Sequence, residues 1–284
     1  VPTLAEIDRC AKRPVDIWTL FLYYPLSKRL VWMVARWPRI TPNTLTLASL
    51  AVCLAGCLGL TAGRPDQFFT GLALVQASYV MDCADGQLAR LRRQFSPIGG
   101  WLDQVADRTK EFAIYLGLVD GWMRQHPQSD AWVFAMAALF SLYLLEYLSQ
   151  ITMFRQPGSK EPLAAPVSPT PAPAVQRHDA SATKPGRIDW QRLVRWRRFI
   201  PFYAYNIGEQ YFALLVFGAF GAVHAFLCFS ATLGLAMCVY RPLVAAVKFH
   251  RAAATATRTS TSSTLSSIGD KAPAARVDEG DGQS

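Results

Sequence analysis

Four aspartates stand in two pairs with helical spacing. Asp82 and Asp85 are three positions apart, and Asp103 and Asp107 are four. On a helix, neighbours at these spacings share one face. A short connection around residues 95–98, carrying Pro97, joins the two segments. Both acidic faces are therefore expected to meet around one point. Four carboxylates gathered in a low-dielectric setting repel each other strongly. They must be protonated or neutralised by cations. Hard divalent ions with oxygen ligands fit this need, and Mg²⁺ commonly binds carboxylates together with substrate phosphates.

The segments that carry these acids are otherwise apolar. The 284-residue chain is 51% hydrophobic and only 17% charged, against about 25% charged for soluble domains. Its mean hydropathy is +0.16 although both ends and a middle stretch are polar. Several apolar runs approach the ~20 residues that cross a ~30 Å hydrocarbon core as helix. An ordinary soluble globular enzyme, a disulfide-stapled secreted domain and a wholly disordered chain are excluded. The expectation is an all-α integral membrane bundle of six transmembrane helices, preceded by an amphipathic interfacial helix. A carboxylate within such a span is costly, so its default reading is functional.

The spans are expected near 44–62, 67–90, 98–119, 131–153, 203–219 and 222–248. Asn43 or Thr44 is read as the cap of the first. Residues 63–66 form a tight turn, and 120–130 a polar loop. Within residues 16–37 the run WTLFLYYPLSKRLVWMVARW interleaves aromatic and aliphatic residues with Lys28, Arg29 and Arg36. It is too charged to span and suits a helix lying in the membrane interface. Packing on the cytoplasmic end of the bundle is equally compatible. The organisation is then a cytoplasmic segment 1–40, helices one to four over 41–153, a linker 154–200, helices five and six over 201–250, and a disordered tail 251–284. The linker is rich in Pro, Ala, Ser and Thr and ends in basic, aromatic WQRLVRWRR.

Charge supports six spans. With both termini cytoplasmic, only Arg64 and Arg124 of the 29 Lys and Arg residues fall in outward turns, as the positive-inside rule expects. The first 40 residues lack a small-residue cleavage site after a short apolar core, so no cleavable signal peptide is expected. The six cysteines form no CxxC pair and read as small buried hydrophobes.

The full run reads Asp82-Cys-Ala-Asp85-Gly86-Gln-Leu-Ala89-Arg90, eight residues, Gly99, three residues, Asp103, three residues, Asp107. It resembles the signature of the CDP-alcohol phosphotransferase family, D-x2-D-G-x2-A-R-x8-G-x3-D-x3-D, at all eight fixed positions. The resemblance covers roughly residues 15–250. It implies transfer of a substituted phosphate from a CDP-linked donor to an alcohol acceptor, with release of CMP. Asp82, Asp85 and Asp103 are implied metal ligands, with Mg²⁺ or Mn²⁺ as a pair of ions. Asp107 is the implied catalytic base and a further ligand. Gly86, Ala89 and Gly99 lack bulk where a nucleotide needs room, and Arg90 offers a donor fork to phosphate. A salt-bridge cluster of the acids with Arg90, Arg108 and Lys110 is the structural alternative, but it leaves the glycines without a reason.

Tyr24-Pro25-Leu26-Ser27 and Thr41-Pro42-Asn43 resemble the N-terminal segment of choline/ethanolamine-type members and of bacterial members that join polar alcohols such as inositol phosphate. The third span reads Gly-Gly-Trp-Leu-Asp103-Gln-Val-Ala-Asp107-Arg108-Thr-Lys110, without the His and Cys of the choline type. A bacterial-type enzyme of phospholipid biosynthesis follows, with CDP-diacylglycerol as donor, a polyol phosphate as acceptor and a site opening to the cytoplasm. The alternatives are a transferase for CDP-linked polar alcohols and, from another class, a divalent-cation transporter. Transport predicts repeat halves with broken helices, and neither is visible. Membrane lipids and a homodimer partner are implied, and no nucleic acid.

Weaker candidates surround this core. Glu111 either extends the polar face or pairs with Arg108. Glu146 and Glu209 are lone acids that touch the acceptor or a basic neighbour. Arg195 and Arg198, with Arg192 and Arg197, either hold an anionic acceptor or headgroup or anchor the fifth span. The four histidines show no ligand or triad spacing.

Overall fold

A computed structural model describes residues 2–12, 16–150 and 205–269, with side chains through Val247. Among the described residues every regular element is helical. Helix α1 is Leu4–Arg9. A π-helical turn, Thr19–Tyr23, leads into α2, Tyr24–Val34. Then come α3, Pro42–Thr61, α4, Pro65–Arg92, and α5, Pro97–Gln125. Helices α6, Ala131–Gln150, α7, Ile207–Ala219, and α8, Val223–Gly269, follow. The chain divides into two units, Val1–Met237 and Cys238–Ser284.

Each expected span coincides with a helix, with shifted ends. Helix α3 is capped two to three residues earlier than expected: Thr44 N donates to Thr41 Oγ1 at 3.2 Å. Pro42 then takes the first helical position, where its missing N–H costs nothing. Pro65 and Pro97 open α4 and α5 in the same way, and Gly99 N donates to the Ser96 cap at 2.9 Å. Helix α5 runs to Gln125, through most of the segment read as a polar loop. Arg124 closes that last turn by donating to Asp120 at 2.9 Å, a helical i,i+4 pair. Helix α8 continues to Gly269 without the expected end near 250. Between Leu243 and Ile268 there is no Gly or Pro to stop it.

Among the described residues, three helices are both long and apolar enough to cross a membrane: Pro42–Thr61, Ala131–Gln150 and Val223–Val247. Helices α4 and α5 have the length, at 28 and 29 residues, but carry the acids. Helix α7 is apolar and 13 residues long.

Helix α3 sits against both α4 and α5 through backbone-to-backbone contact. A Cβ on Gly71 of α4 would lie 2.5 Å from the Gly56 carbonyl oxygen and 2.9 Å from Leu60 N. On α5, a Cβ on Gly117 would come within 3.1 Å of the Cys57 carbonyl oxygen. Small residues permit such approach where lipid gives no hydrophobic drive between helices. The main core fills in around these contacts with Cys53, Leu60, Val75, Tyr79, Tyr115 and Leu118.

A second, smaller core lies beside it: Ile7, Val31, Leu45, Ala84 and Leu88. It joins α1 and α2 to the half of α4 that carries the acids. Helix α2 buries Tyr24, Ser27, Val31 and Val34 on one stripe, and leaves Leu26, Met33 and the following Trp37 exposed. Gln87 Nε2 of α4 donates to Ser27 Oγ at 2.8 Å. Tyr23 Oη donates to Gln76 Oε1 at 2.7 Å.

The Gly71 contact cannot yield by moving a side chain, because both neighbours are backbone. Gly71→Leu is expected to destabilise the bundle by about 3 kcal/mol, read as a lower melting temperature and aggregated yield in detergent. Gly100→Ala, where nothing lies within 4 Å of the added carbon, should melt like the parent.

Candidate active site

The second half of α4 and the first half of α5 bring the acids together. One carboxylate oxygen from each of Asp82, Asp85 and Asp103 lies within 4.8 Å of the others. These are hard oxygen donors from two rigid helices, a set that suits Mg²⁺, Ca²⁺ or Mn²⁺. Asp85 is buried, at 6% exposure, and accepts from Thr46 Oγ1 at 2.6 Å. That hydroxyl, from the second turn of α3, aims one oxygen of the carboxylate.

Asp107 stands outside this group of three. Its Oδ1 lies 3.3 Å from Lys110 Nζ, and the same ammonium bonds Asp82 Oδ1. Asp82 is therefore shared between the three-carboxylate group and a buried ion pair. The expectation of four carboxylates around one point becomes three around one point, with the fourth linked through Lys110.

A cleft of about 210 Å³ opens beside the acids. Six of the eight residues in the aspartate-glycine run line it: Asp85, Gly86, Ala89, Arg90, Gly99 and Asp103. Asn43 and Thr46 close it from α3. The space left by the glycines is partly used by the protein itself. A Cβ on Gly86 would sit 3.4 Å from both terminal nitrogens of Arg90, and one on Gly99 would sit 2.8 Å from Asn43 Oδ1. The guanidinium thus lies against Gly86 at contact distance, and Gly99 lets Asn43 reach the cleft.

Arg90 is held from the other side. Its Nε donates to the Cys10 carbonyl, just past the end of α1. A capping box between Thr3 and Glu6 starts α1, and Ile7, at 0% exposure, plugs it into the smaller core. Asp8 pairs with Lys28 at 2.6 Å, and Tyr24 Oη donates to the Lys12 carbonyl at 3.0 Å. Helix α1 is thus a strap across α2 and α4 that orients the guanidinium. Arg92 serves the scaffold, donating to the carbonyls of Ile40 and Trp37 and fixing the chain between α2 and α3.

The weaker candidates resolve differently. Arg108 pairs with Glu111 at 2.8 Å, so the ion-pair reading of Glu111 is the one seen. Glu209 is buried and accepts from Asn206 N at 2.8 Å, half of a capping box that starts α7. Glu146 accepts from Gln150 at 3.3 Å on an exposed face. Arg195 and Arg198 lie outside the described residues.

Sequence reasoning missed Asn43 and Thr46 as cleft residues and the Cys10 carbonyl as the partner of Arg90. The hydroxyl of Thr46 inside an apolar run was the available signal for one of them. Nothing in the sequence flagged the carbonyl.

Residues 39–171 match the family model for CDP-alcohol phosphatidyltransferase. A bifunctional IPC transferase and DIPP synthase of Aquifex aeolicus is 31% identical over 114 residues, 39% of this chain and 24% of that protein. Archaetidylinositol phosphate synthase of Methanothermobacter thermautotrophicus is 30% identical over 99 residues, 35% of this chain and 49% of its own. The chain thus spans between a quarter and a half of the length of these curated relatives. The crystal structure of Mycobacterium tuberculosis phosphatidylinositol phosphate synthase with CDP-DAG bound superposes with a TM-score of 0.51 at 16% identity. It covers 78% of this chain and 94% of that one, a likeness of fold. The motif on α4 and α5 lies inside that match, so residues 39–171, just under half of the chain, are similar to a CDP-alcohol phosphatidyltransferase domain.

Proposed function

We propose that the protein is a membrane transferase of phospholipid biosynthesis, moving a phosphatidyl group from CDP-diacylglycerol to an alcohol with release of CMP. The observation that carries this reading is the convergence of Asp82, Asp85 and Asp103 within 4.8 Å, beside a cleft lined by six residues of the family motif. A polyol phosphate is the proposed acceptor, supported by the relative named archaetidylinositol phosphate synthase.

In this reading Asp82, Asp85 and Asp103, with Asp107 as a further ligand, would hold two Mg²⁺ or Mn²⁺ ions. Bound ions supply Lewis-acid charge to the phosphoryl oxygens and to the departing CMP. Arg90, steadied by the Cys10 carbonyl, turns its two remaining nitrogens to the donor phosphates. Gly86, Ala89 and Gly99 keep the cleft open for the nucleotide. Asp107 takes the proton of the acceptor hydroxyl. The hydroxyl oxygen bonds to the β-phosphorus, the bond from that phosphorus to the bridging oxygen breaks, and CMP leaves with the electron pair. Arg195, Arg198 and Glu209 are the proposed acceptor side, with Glu209 acting through the start of α7.

The proposed setting is the bacterial cytoplasmic membrane, with six spans, both termini cytoplasmic, and a second copy of the chain as partner. Helices α4 and α5 cross despite their acids, because those acids face the cleft and each other rather than lipid. The π-turn and α2 lie along the inner interface, where exposed Phe21, Leu26, Met33 and Trp37 meet lipid and Lys28 and Arg29 meet headgroups.

Purified protein in detergent with Mn²⁺ or Mg²⁺, CDP-diacylglycerol and a panel of alcohols tests the reaction through CMP release. Metal-dependent release that requires one alcohol is expected, with donor label ending in the organic phase. No release from CDP-diacylglycerol with any alcohol contradicts the donor assignment. Asp107→Asn should lower release by about 10²- to 10⁴-fold, the usual worth of a general base. Thr46→Val removes the hydroxyl that aims Asp85 and should raise the Mn²⁺ concentration for half-maximal activity by about 10- to 100-fold. An unchanged Mn²⁺ requirement in folded Thr46→Val would contradict that role.

A further inference from the structure

Lys110 carries the opposite charge on the same face of α5 as Asp103 and Asp107. Its side chain is 2% exposed. An ammonium this deeply buried must be paired, and it is paired twice. It bonds Asp82 Oδ1, and Asp107 Oδ1 lies 3.3 Å away. Asp82 belongs as well to the group with Asp85 and Asp103. The carboxylates therefore form two adjoining sets that share Asp82. One set has the oxygen spacing to hold a divalent ion, and the other converges on the Lys110 ammonium.

We propose that Lys110 is a resident counter-ion that holds the place of a second divalent ion between Asp82 and Asp107, and that it must withdraw before that ion binds. The inference rests on the metal reading of the acids given above. Its physics is exclusion. A divalent ion held by both Asp82 and Asp107 would need the space between the two carboxylates that Nζ now occupies. Two cations crowded into a low-dielectric site repel strongly. The lysine stem has four rotatable carbons and can carry its charge aside, but only at the loss of two ion pairs. The three-carboxylate position therefore fills first, and the second fills with a penalty set by Lys110. The diphosphate of the donor brings the negative charge that offsets this penalty, which couples the second ion to substrate.

The alternative is that Lys110 only cross-links α4 and α5. The two roles part in metal binding. Full-length protein in detergent is titrated with Mn²⁺, and free ion is followed by its electron paramagnetic resonance signal, without donor and without turnover. The wild type should bind one ion tightly and a second about 10- to 100-fold more weakly, the scale on which groups behind a metal's ligands act. Lys110→Met, similar in volume and uncharged, and Lys110→Gln should bring the second ion into the range of the first. Lys110→Arg should keep the separation. Two equal tight sites in the wild type would overturn the proposal, and this measurement needs no variant to fold. Unchanged isotherms in folded Lys110→Met and Lys110→Gln would overturn it too, as would a wild type that binds no Mn²⁺. A stepwise isotherm in a protein that releases no CMP from any CDP-linked donor would instead overturn the proposed reaction and leave the role of Lys110 standing.

Discussion

Like charges held close together away from water govern this structure. Three carboxylate oxygens within 4.8 Å repel by about 3 kcal/mol per pair at an effective dielectric constant of about 20. No folded chain keeps such a group without compensation. Compensation comes from α3 and α5. Helix α3 contributes the Thr46 hydroxyl to Asp85. Helix α5 contributes the Lys110 ammonium to Asp82 and Asp107. What remains is a net negative pocket with hard oxygen donors, and divalent cations are the ligands that match it.

The acids can face each other only if α4 and α5 are held at a fixed separation and rotation. Glycine contacts with α3 provide this. Gly56 and Gly71 bring α3 and α4 to backbone contact, and Gly117 brings α5 against the same helix. Because the contacts are between backbones, there is little freedom to slide or rotate. Helix α1 adds a second constraint from outside the bundle. Through Ile7 in the smaller core and the Cys10 carbonyl on Arg90, it sets the direction in which the guanidinium points.

Much of the site was legible because it is written at helical spacing within one stretch of chain. Asp82 and Asp85 share a face as their i,i+3 spacing suggests and meet Asp103 across the α4–α5 connection, and Gly86, Ala89, Arg90 and Gly99 line the cleft beside them. What was not legible depends on partners distant in sequence. Lys110 stood in the sequence as a basic residue near the acids, yet its choice of Asp82 and Asp107 over the other acids is a matter of helix packing. Asn43 and Thr46 reach the cleft only because α3 crosses against α4. The Cys10 carbonyl has no side-chain signature at all. Helix ends were misjudged where capping competes with composition: Thr41 rather than Asn43 or Thr44 starts α3, because Pro42 is best placed just inside a helix. Helix α8 runs to Gly269 because a polar composition without Gly or Pro does not by itself end a helix.

The central claim is that the charge of Asp82, Asp85 and Asp103 is there to hold a divalent cation. The most direct test is anomalous X-ray scattering from crystals of the protein equilibrated with Mn²⁺. The account predicts a peak in contact with oxygens of all three aspartates, facing the cleft lined by Gly86 and Gly99. A map with no peak among these three carboxylates, or with Mn²⁺ bound only elsewhere on the chain, would contradict it.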